Sequence, residues 1–297
     1  GGFDSIYGGD GNDALYGGND KDALYGDAGI DFLYGGVGKD NLHGDADDDW
    51  LYGGLDNDSL SGGAGGDYME GGAGDDGYSV DNVLDVVFET ADGGTADSVS
   101  STVSFSSAFV ERLNLVGTAG INGTLSGGLG NQLYGNVADN VLTGGSGDDG
   151  ILARAGNDTL NGEGGNDSLF GEADNDTLYG GDGNDSIFGG AGNDTLIGGI
   201  GGDSHYGGSG NDIYFIDSAG DTVAEFAGEG GADSIFSSLS YTIAANVEFL
   251  VLTGTGNTNA TGFAGQKDGL FGNGGNNILN GLGGADYMAG GAGNDTY

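Results

Sequence analysis

The chain has 297 residues, 72 of them glycine, with no proline and no cysteine, and its 47 acidic against five basic residues give a formal charge of −42. The lack of cysteine excludes disulfides and thiolate zinc sites, and so few cations cannot build the basic patches that nucleic acids or anionic membrane surfaces require. No apolar run approaches the roughly 20 residues that span a bilayer. Because a chain of this charge repels itself near neutral pH, compact folding requires cations.

A nine-residue unit with the consensus G-G-x-G-x-D-x-U-x, where U is a large apolar residue, occurs eight times without a gap between residues 8 and 79. The segment before it, GGFDSIY, fits the last seven positions of one more unit, so we expect the chain to be part of a longer protein. The sixth position is aspartate in every unit: Asp13, Asp22, Asp31, Asp40, Asp49, Asp58, Asp67 and Asp76. The eighth position is Leu15, Leu24, Leu33, Leu42, Leu51, Leu60, Met69 and Tyr78.

A period of nine with one apolar anchor does not fit an amphipathic helix, whose apolar residues recur at intervals of three and four. It favours a six-residue glycine-rich turn followed by a three-residue strand whose middle side chain points inward. Two units then make one coil, and equivalent residues recur every 18 residues. The predicted fold class is therefore all-β: a parallel β-roll, or β-solenoid, with a single line of leucine on each face.

The nine-residue phase is lost after residue 79 and returns later in the chain. We expect β-roll arrays at residues 1–79 and 144–215, strand-rich spacers at 80–143 and 216–271 that continue the coil, and the start of a third array at 272–297. The second array again has aspartate at position six: Asp149, Asp158, Asp167, Asp176, Asp185, Asp194, Asp203 and Asp212. The spacers match each other at an offset of 136 to 137 residues, pairing Asp81 with Asp217, Asp85 with Asp221, Glu89 with Glu225, Asp97 with Asp233 and Glu111 with Glu248.

The last two units of each array depart from leucine at the inward position. The first array has Met69 and Tyr78 there, and the second has His205 and Tyr214. Since both arrays change at the same place, we expect a defined exit from the coil into the spacer. No catalytic constellation surrounds His205, which fits this capping position.

The repeat carries the chemistry of a calcium site. Calcium takes six to eight hard oxygen ligands from carboxylates and backbone carbonyls. Glycine at positions one, two and four tolerates φ > 0 and leaves no Cβ in the way, so the turn can direct its carbonyls inward while position six provides the charge. A disordered Gly/Asp linker would fit the composition, but it leaves unexplained why the apolar residue always follows the aspartate by two positions.

By these residues the chain resembles the RTX (repeats-in-toxin, haemolysin-type calcium-binding) family, over nearly its whole length. The resemblance implies calcium ions shared between the turns of neighbouring coils, on the order of a dozen for two arrays. The implied ligands are the position-six aspartates above, Asp286 and Asp295 of the third array, and glycine carbonyls such as those of Gly8, Gly17, Gly26, Gly35, Gly180 and Gly189. Weaker or empty sites are expected where Ala153 and Arg154 replace the glycine pair, beside Lys21 and Lys39, and where Asn140 and Asn277 replace aspartate.

Aromatic residues recur every 18 residues at Tyr16, Tyr34 and Tyr52, and again at Phe170, Phe188 and Tyr206. They predict exposed aromatic ladders. Cross-strand stacking that stabilises the sheet is the favoured interpretation, and self-assembly or contact with a cell surface or carbohydrate is the alternative.

Two classes of function remain open. The long repeat and the absence of hydrolase signatures favour a non-enzymatic structural or adhesive element, such as a surface layer, fibre or matrix component. The alternative is the non-catalytic module of a secreted enzyme or toxin such as a protease, lipase, epimerase or haemolysin. Weak calcium sites suit the outside of a cell, so an extracellular, secreted or cell-surface location is expected, and the family resemblance implies type I secretion of the unfolded chain.

Overall fold

The computed structural model describes residues 2–91, 93–128, 130–229 and 231–297, and the regular structure in these ranges is β-strand. The strands of the first half are β1 (Ser5–Asp10), β2 (Ala14–Asn19), β3 (Ala23–Ala28), β4 (Phe32–Val37), β5 (Asn41–Ala46), β6 (Trp50–Leu55), β7 (Ser59–Ala64), β8 (Tyr68–Ala73), β9 (Gly77–Val80), β10 (Val86–Phe88), β11 (Ser98–Ser101), β12 (Phe105–Ser107), β13 (Arg112–Leu115), β14 (Gly123–Leu125) and β15 (Gln132–Tyr134). Those of the second half are β16 (Val141–Ser146), β17 (Gly150–Ala155), β18 (Thr159–Gly164), β19 (Ser168–Ala173), β20 (Thr177–Asp182), β21 (Ser186–Ala191), β22 (Thr195–Ile200), β23 (Ser204–Ser209), β24 (Ile213–Ile216), β25 (Thr222–Ala224), β26 (Ser234–Ser237), β27 (Tyr241–Thr242), β28 (Phe249–Leu252), β29 (Ala260–Thr261), β30 (Gly269–Phe271), β31 (Leu279–Asn280) and β32 (Tyr287–Ala289).

The chain divides into two units, Gly1–Ala138 and Asp139–Tyr297. In the first unit the odd strands β1 to β15 form one parallel sheet in chain order, β2, β4, β6, β8 and β10 form a second, and β12 pairs with β14. In the second unit the odd strands β17 to β25 form one sheet, the even strands β16 to β32 another, and β27, β29 and β31 a third. Successive strands therefore alternate between sheets, which confirms the predicted parallel β-solenoid with two strands to each coil.

Within the arrays the register follows the repeat. Leu15 lies beside Leu33 and Leu24 beside Leu42, so equivalent residues are 18 apart as predicted. The inward leucines have lost nearly all contact with solvent; Leu15 is 4% exposed and Leu24 to Leu51 are 0% exposed. The predicted single line of leucine on each face is confirmed.

The predicted strand length of three residues is wrong. The array strands span six residues, covering positions seven to nine of one unit and one to three of the next. Ladder pairing resumes past the first glycine, as Gly18 with Gly36 and Asn19 with Val37 show. The turn is shorter than expected because glycine at position one is extended rather than left-handed, so the hydrogen-bonded ladder runs through it.

The spacers are strand-rich and extend the parallel sheets of their own units, as predicted. Their register departs from the repeat: Ser98 lies beside Gly77 on one side and beside Arg112 on the other. No helix in the described part of the chain has the length and apolarity to cross a membrane.

The outer faces carry the predicted aromatic ladders. Phe170, Phe188 and Tyr206 stack with centroids 4.8 and 4.7 Å apart and planes within 7° of parallel. Tyr16 and Tyr34 are 6.5 Å apart and tilted by 55°, and Tyr16 is 61% exposed. Cross-strand stacking thus orders the ladder of the second array more closely than that of the first.

Candidate metal centres

The position-six aspartates form ladders along the edges of the coils. In each ladder the Oδ1 atom of one aspartate accepts a hydrogen bond from the backbone N–H of the position-six residue one coil earlier, as from Asp22 N to Asp40 Oδ1 at 2.7 Å. The same bond joins Asp40 to Asp58 at 2.8 Å and Asp176 to Asp194 at 2.8 Å. The carboxylate is thereby fixed in place with its second oxygen, Oδ2, turned inward.

That second oxygen is left without a hydrogen-bond donor. Among the described residues, the buried Oδ2 atoms with no hydrogen-bond partner include those of Asp13, Asp22, Asp31, Asp40, Asp49, Asp58, Asp67, Asp76, Asp158, Asp167, Asp176, Asp185, Asp194, Asp203 and Asp212. Asp149 is equally buried, at 3% exposure, and occupies the same register. A buried charged oxygen without a partner is strongly unfavourable, and a whole row of them indicates a missing cation.

Glycine at position one closes each cradle. A Cβ built on Gly8 would lie 2.9 Å from Asp13 Oδ2 and 2.7 Å from the carbonyl oxygen of Gly26, one coil on. The other predicted glycines, which have the same two neighbours, are Gly17, Gly26, Gly35, Gly180 and Gly189. Each cradle therefore joins a carboxylate oxygen to a backbone carbonyl of the next coil at the point where any side chain would intrude.

The reason predicted for glycine at position one is wrong. Positive φ occurs at positions two and four, as at Gly9 (92°) and Gly11 (116°), whereas Gly8 does not adopt it. Non-glycine residues also occur at positions two and four, for example Asp45 and Asp47 with φ of 76° and 77°. Position one instead requires glycine because there is no room for a Cβ.

Burial raises the pKa values of these carboxyls. Desolvation is the largest cause, opposed by the backbone hydrogen bond and increased by neighbouring aspartates, and it raises the pKa of Asp58 and of Asp176 to about 8. The pKa of Asp49 rises to about 7 for the same reasons. The rows therefore attract either protons or cations, and a hard divalent cation fits an all-oxygen cradle.

Three places depart from this pattern. Ala153 is fully buried and puts a methyl group where Gly144 and Gly162 have none, next to Asp158. Asn277 is neutral and makes its own hydrogen bonds, donating from Nδ2 to the Thr258 carbonyl at 2.6 Å and accepting from Asn273 N at 2.9 Å. Asn140 is buried and joins the ladder through its backbone N–H, which donates to Asp158 Oδ1 at 2.7 Å.

The third array is less enclosed. Asp286 and Asp295 are half-buried, and their Oδ1 atoms accept from Asp268 N at 3.1 Å and from Asn277 N at 2.9 Å. They occupy the ladder register of the earlier aspartates, with Gly281 and Gly290 at position one.

Sequence reasoning missed an acidic group at the end of the first array. Ligand oxygens of Asp76, Glu89 and Asp97 all lie within 4.8 Å of one another, and the three residues are buried. Asp97 Oδ1 accepts from Asp76 N at 2.7 Å, and the Tyr78 hydroxyl donates to Glu89 Oε1. The available signal was the 136-residue copy, which pairs Glu89 with Glu225 and Asp97 with Asp233.

Comparison with known proteins agrees with this chemistry. The profile of the RTX calcium-binding nonapeptide repeat (4 copies) matches in overlapping segments that cover about two thirds of the chain, at residues 1–24, 16–51, 25–60, 43–78, 125–160, 144–178, 152–187, 170–204, 179–214 and 267–297. A search of curated proteins found no match. RTX repeats imply calcium binding, are characteristic of secreted proteins and typically form non-catalytic solenoids. The chain belongs to the RTX calcium-binding nonapeptide-repeat family.

Proposed function

We propose that the chain is a calcium-loaded structural or adhesive element of a secreted bacterial protein. The observation that carries the proposal is the row of buried Oδ2 atoms without hydrogen-bond partners along the arrays, each beside a carbonyl oxygen of the next coil. The position-six aspartates and the backbone of the position-one glycines would hold the ions. Calcium would supply the positive charge that allows these carboxylates to be buried while ionised.

Folding would depend on calcium for the same reason. The arrays bury carboxylates whose ionised form is unfavourable in the metal-free fold, and the core is a single line of leucine per sheet. The unfolded chain at low calcium is highly charged and rich in glycine, which increases its conformational entropy. Binding free energy would therefore become folding free energy. This suits a chain exported unfolded by type I secretion that folds outside the cell.

The recurrence of one plan in both units supports a structural rather than an enzymatic role. The arrays at 1–79 and 144–215, the spacers at 80–143 and 216–271 and the array start at 272–297 would act as successive segments of an extended scaffold. Both arrays end in a buried tyrosine hydrogen-bonded to a spacer glutamate, Tyr78 to Glu89 and Tyr214 to Glu225. Repetition of a load-bearing segment serves a fibre, layer or matrix, and the outer aromatic ladders offer it a surface for assembly.

A circular dichroism titration of the whole chain with calcium, and with magnesium at equal concentrations, tests the proposal. We expect a cooperative transition from coil to β-structure with calcium alone, since magnesium requires a smaller octahedral shell. Light scattering on the same samples then tests for assembly. A chain already β-structured in chelator would contradict the calcium dependence, and a folded chain that stays monomeric at high concentration would contradict the scaffold role.

A further inference from the structure

A group of three acids lies where the first array meets its spacer, and we call it the exit group: Asp76, Glu89 and Asp97. Asp76 is the last position-six residue of the array, Glu89 follows β10 and Asp97 precedes β11. Asp76 is 1% exposed, Glu89 6% and Asp97 0%. Among the residues that the structure describes, no other three acidic or histidine side chains bring their ligand atoms so close together.

Two oxygen atoms of the exit group are buried and unpartnered. Asp76 Oδ2 and Asp97 Oδ2 make no hydrogen bond, although Asp97 Oδ1 accepts from Asp76 N. Glu89 is held by the Tyr78 hydroxyl, which donates to its Oε1. The tyrosine therefore fixes the glutamate while leaving the group with three carboxylates and no cationic side chain.

Backbone oxygens surround the same space. A Cβ on Gly93 would meet Glu89 Oε2 and lie 3.1 Å from the Gly72 carbonyl oxygen. A Cβ on Gly94 would lie 2.8 Å from both carboxylate oxygens of Asp97. The glycines at this junction thus have the same relation to oxygen atoms that position one has within the array.

The distances suit calcium. Oxygens on opposite sides of one calcium ion, each at 2.3 to 2.6 Å, are at most about 5 Å apart, whereas around magnesium they are at most about 4.2 Å apart. The limit of 4.8 Å among the exit-group oxygens lies within the calcium range and beyond that of magnesium.

The second unit repeats the arrangement. Asp212 N donates to Asp233 Oδ1 at 2.8 Å, the Tyr214 hydroxyl donates to Glu225, and Asp212 Oδ2 is buried without a partner. A Cβ on Gly207 would lie 2.5 Å from both Asp212 Oδ2 and Glu225 Oε1. Two carboxylates from different segments thus face one point here as well.

We propose that each array ends in a dedicated calcium site, formed by Asp76, Glu89 and Asp97 in the first unit and by Asp212, Glu225 and Asp233 in the second. The site differs from the repeat sites because two of its three carboxylates come from the spacer. The ion therefore ties the spacer to the array. With three carboxylates in a rigid cradle it binds more tightly than the repeat sites, since charge count and rigidity set calcium affinity. The proposal rests on the proposed calcium dependence only for the identity of the ion.

The test uses the full chain with Glu89→Gln, Glu225→Gln and the double variant. Glutamine keeps an acceptor for the tyrosine hydroxyl and removes one buried charge, so the fold is not burdened by the change. Glu70→Gln is the matched control, because Glu70 lies on β8 close to the exit group but outside it. Calcium binding is measured by competition with a chromophoric chelator. We expect each single variant to weaken one of the tightest ions roughly tenfold to a hundredfold, the double variant to weaken two, and the control to change none.

Unchanged tight binding in the double variant would overturn the exit site. Terbium provides a second measurement on the wild-type chain: crystals grown with Tb³⁺ should show an anomalous peak among Asp76, Glu89 and Asp97. Peaks confined to the repeat turns would overturn the exit site and leave the proposed function intact. A chain that binds neither calcium nor terbium would remove the proposed function and the exit site together.

Discussion

Substitution of Gly189 by alanine should eliminate one calcium ion from the second array. Gly189 occupies position one of its unit, and a Cβ there would lie 2.5 Å from Asp194 Oδ2 and 2.7 Å from the Gly207 carbonyl oxygen. Both distances are below the 3.0 Å that real Cβ atoms keep. The methyl group would stand between the two oxygens that a calcium ion in this cradle would contact.

The magnitude follows from the overlap and from the sharing of ions. Forcing a methyl group into a packed site costs about 1 to 3 kcal/mol. If about six ions are coupled to the folding of one array, this destabilisation is divided among them, at 1.4 kcal/mol per tenfold. The calcium midpoint of folding should then rise by roughly 1.3- to 2.3-fold, while the number of bound ions falls by one.

Isothermal titration calorimetry counts the ions, and circular dichroism gives the midpoint. Gly164→Ala is the control, because Gly164 lies at position three with extended backbone and a Cβ there would meet nothing within 4 Å. The converse change, Ala153→Gly combined with Arg154→Gly, should add one ion. If Gly189→Ala and Gly164→Ala bind as many ions as the wild type, the space at position one is not part of a calcium site.

Three further outcomes are expected. Burial raises the pKa of Asp58 to about 8 from 3.8, so the metal-free folded state holds more protons than the unfolded state; its stability is present below about pH 4 and lost as the pH rises toward 8. Calcium requires the ionised carboxylate, so its folding midpoint should increase as the pH falls from 9 to 6, and a midpoint independent of pH would contradict this. His205→Met should raise the unfolding free energy of the calcium-loaded chain by about 1 to 3 kcal/mol, since His205 Nε2 is buried without a partner and the first array has Met69 there; a lower melting temperature would refute it. Phe188→Ala should lower stability by about 1 to 3 kcal/mol through two lost ring stacks, and the exposed Ile200→Ala should not; equal losses would argue against the stacks.

The repeat period made the array predictable. One apolar residue every nine positions allows only one inward direction per unit, so Leu24 and Leu42 could be placed against each other from their spacing of 18 alone. The six-residue strand could not be read in this way, because propensity rules count glycine as a turn former. The ladder continues through position one because hydrogen bonds from the next coil, such as those pairing Gly18 with Gly36, impose an extended backbone.

The exit group was not predictable from spacing because its members follow no period. Glu89 and Asp97 are 13 and 21 residues beyond Asp76, and neither distance is a multiple of nine. They meet because the spacer returns to the array with a changed register, in which Ser98 lies beside Gly77. The duplication of these acids 136 residues later is visible in the sequence, but only the three-dimensional structure reveals what the copied residues share.

The two oxygens of each position-six carboxylate have different tasks, and this explains the choice of residue. Oδ1 accepts a backbone N–H from the preceding coil, as Asp58 Oδ1 does from Asp40 N at 2.8 Å, so it fixes the stacking of coils. Oδ2 is left facing the cradle. Asparagine could accept the same hydrogen bond but would bring no charge, and glutamate would place its oxygens one carbon farther out. Aspartate therefore links coil stacking to cation binding through one side chain. A cation that neutralises Oδ2 strengthens the hydrogen-bonded position of Oδ1, and an empty cradle weakens it, so coil stacking and calcium loading should rise and fall together.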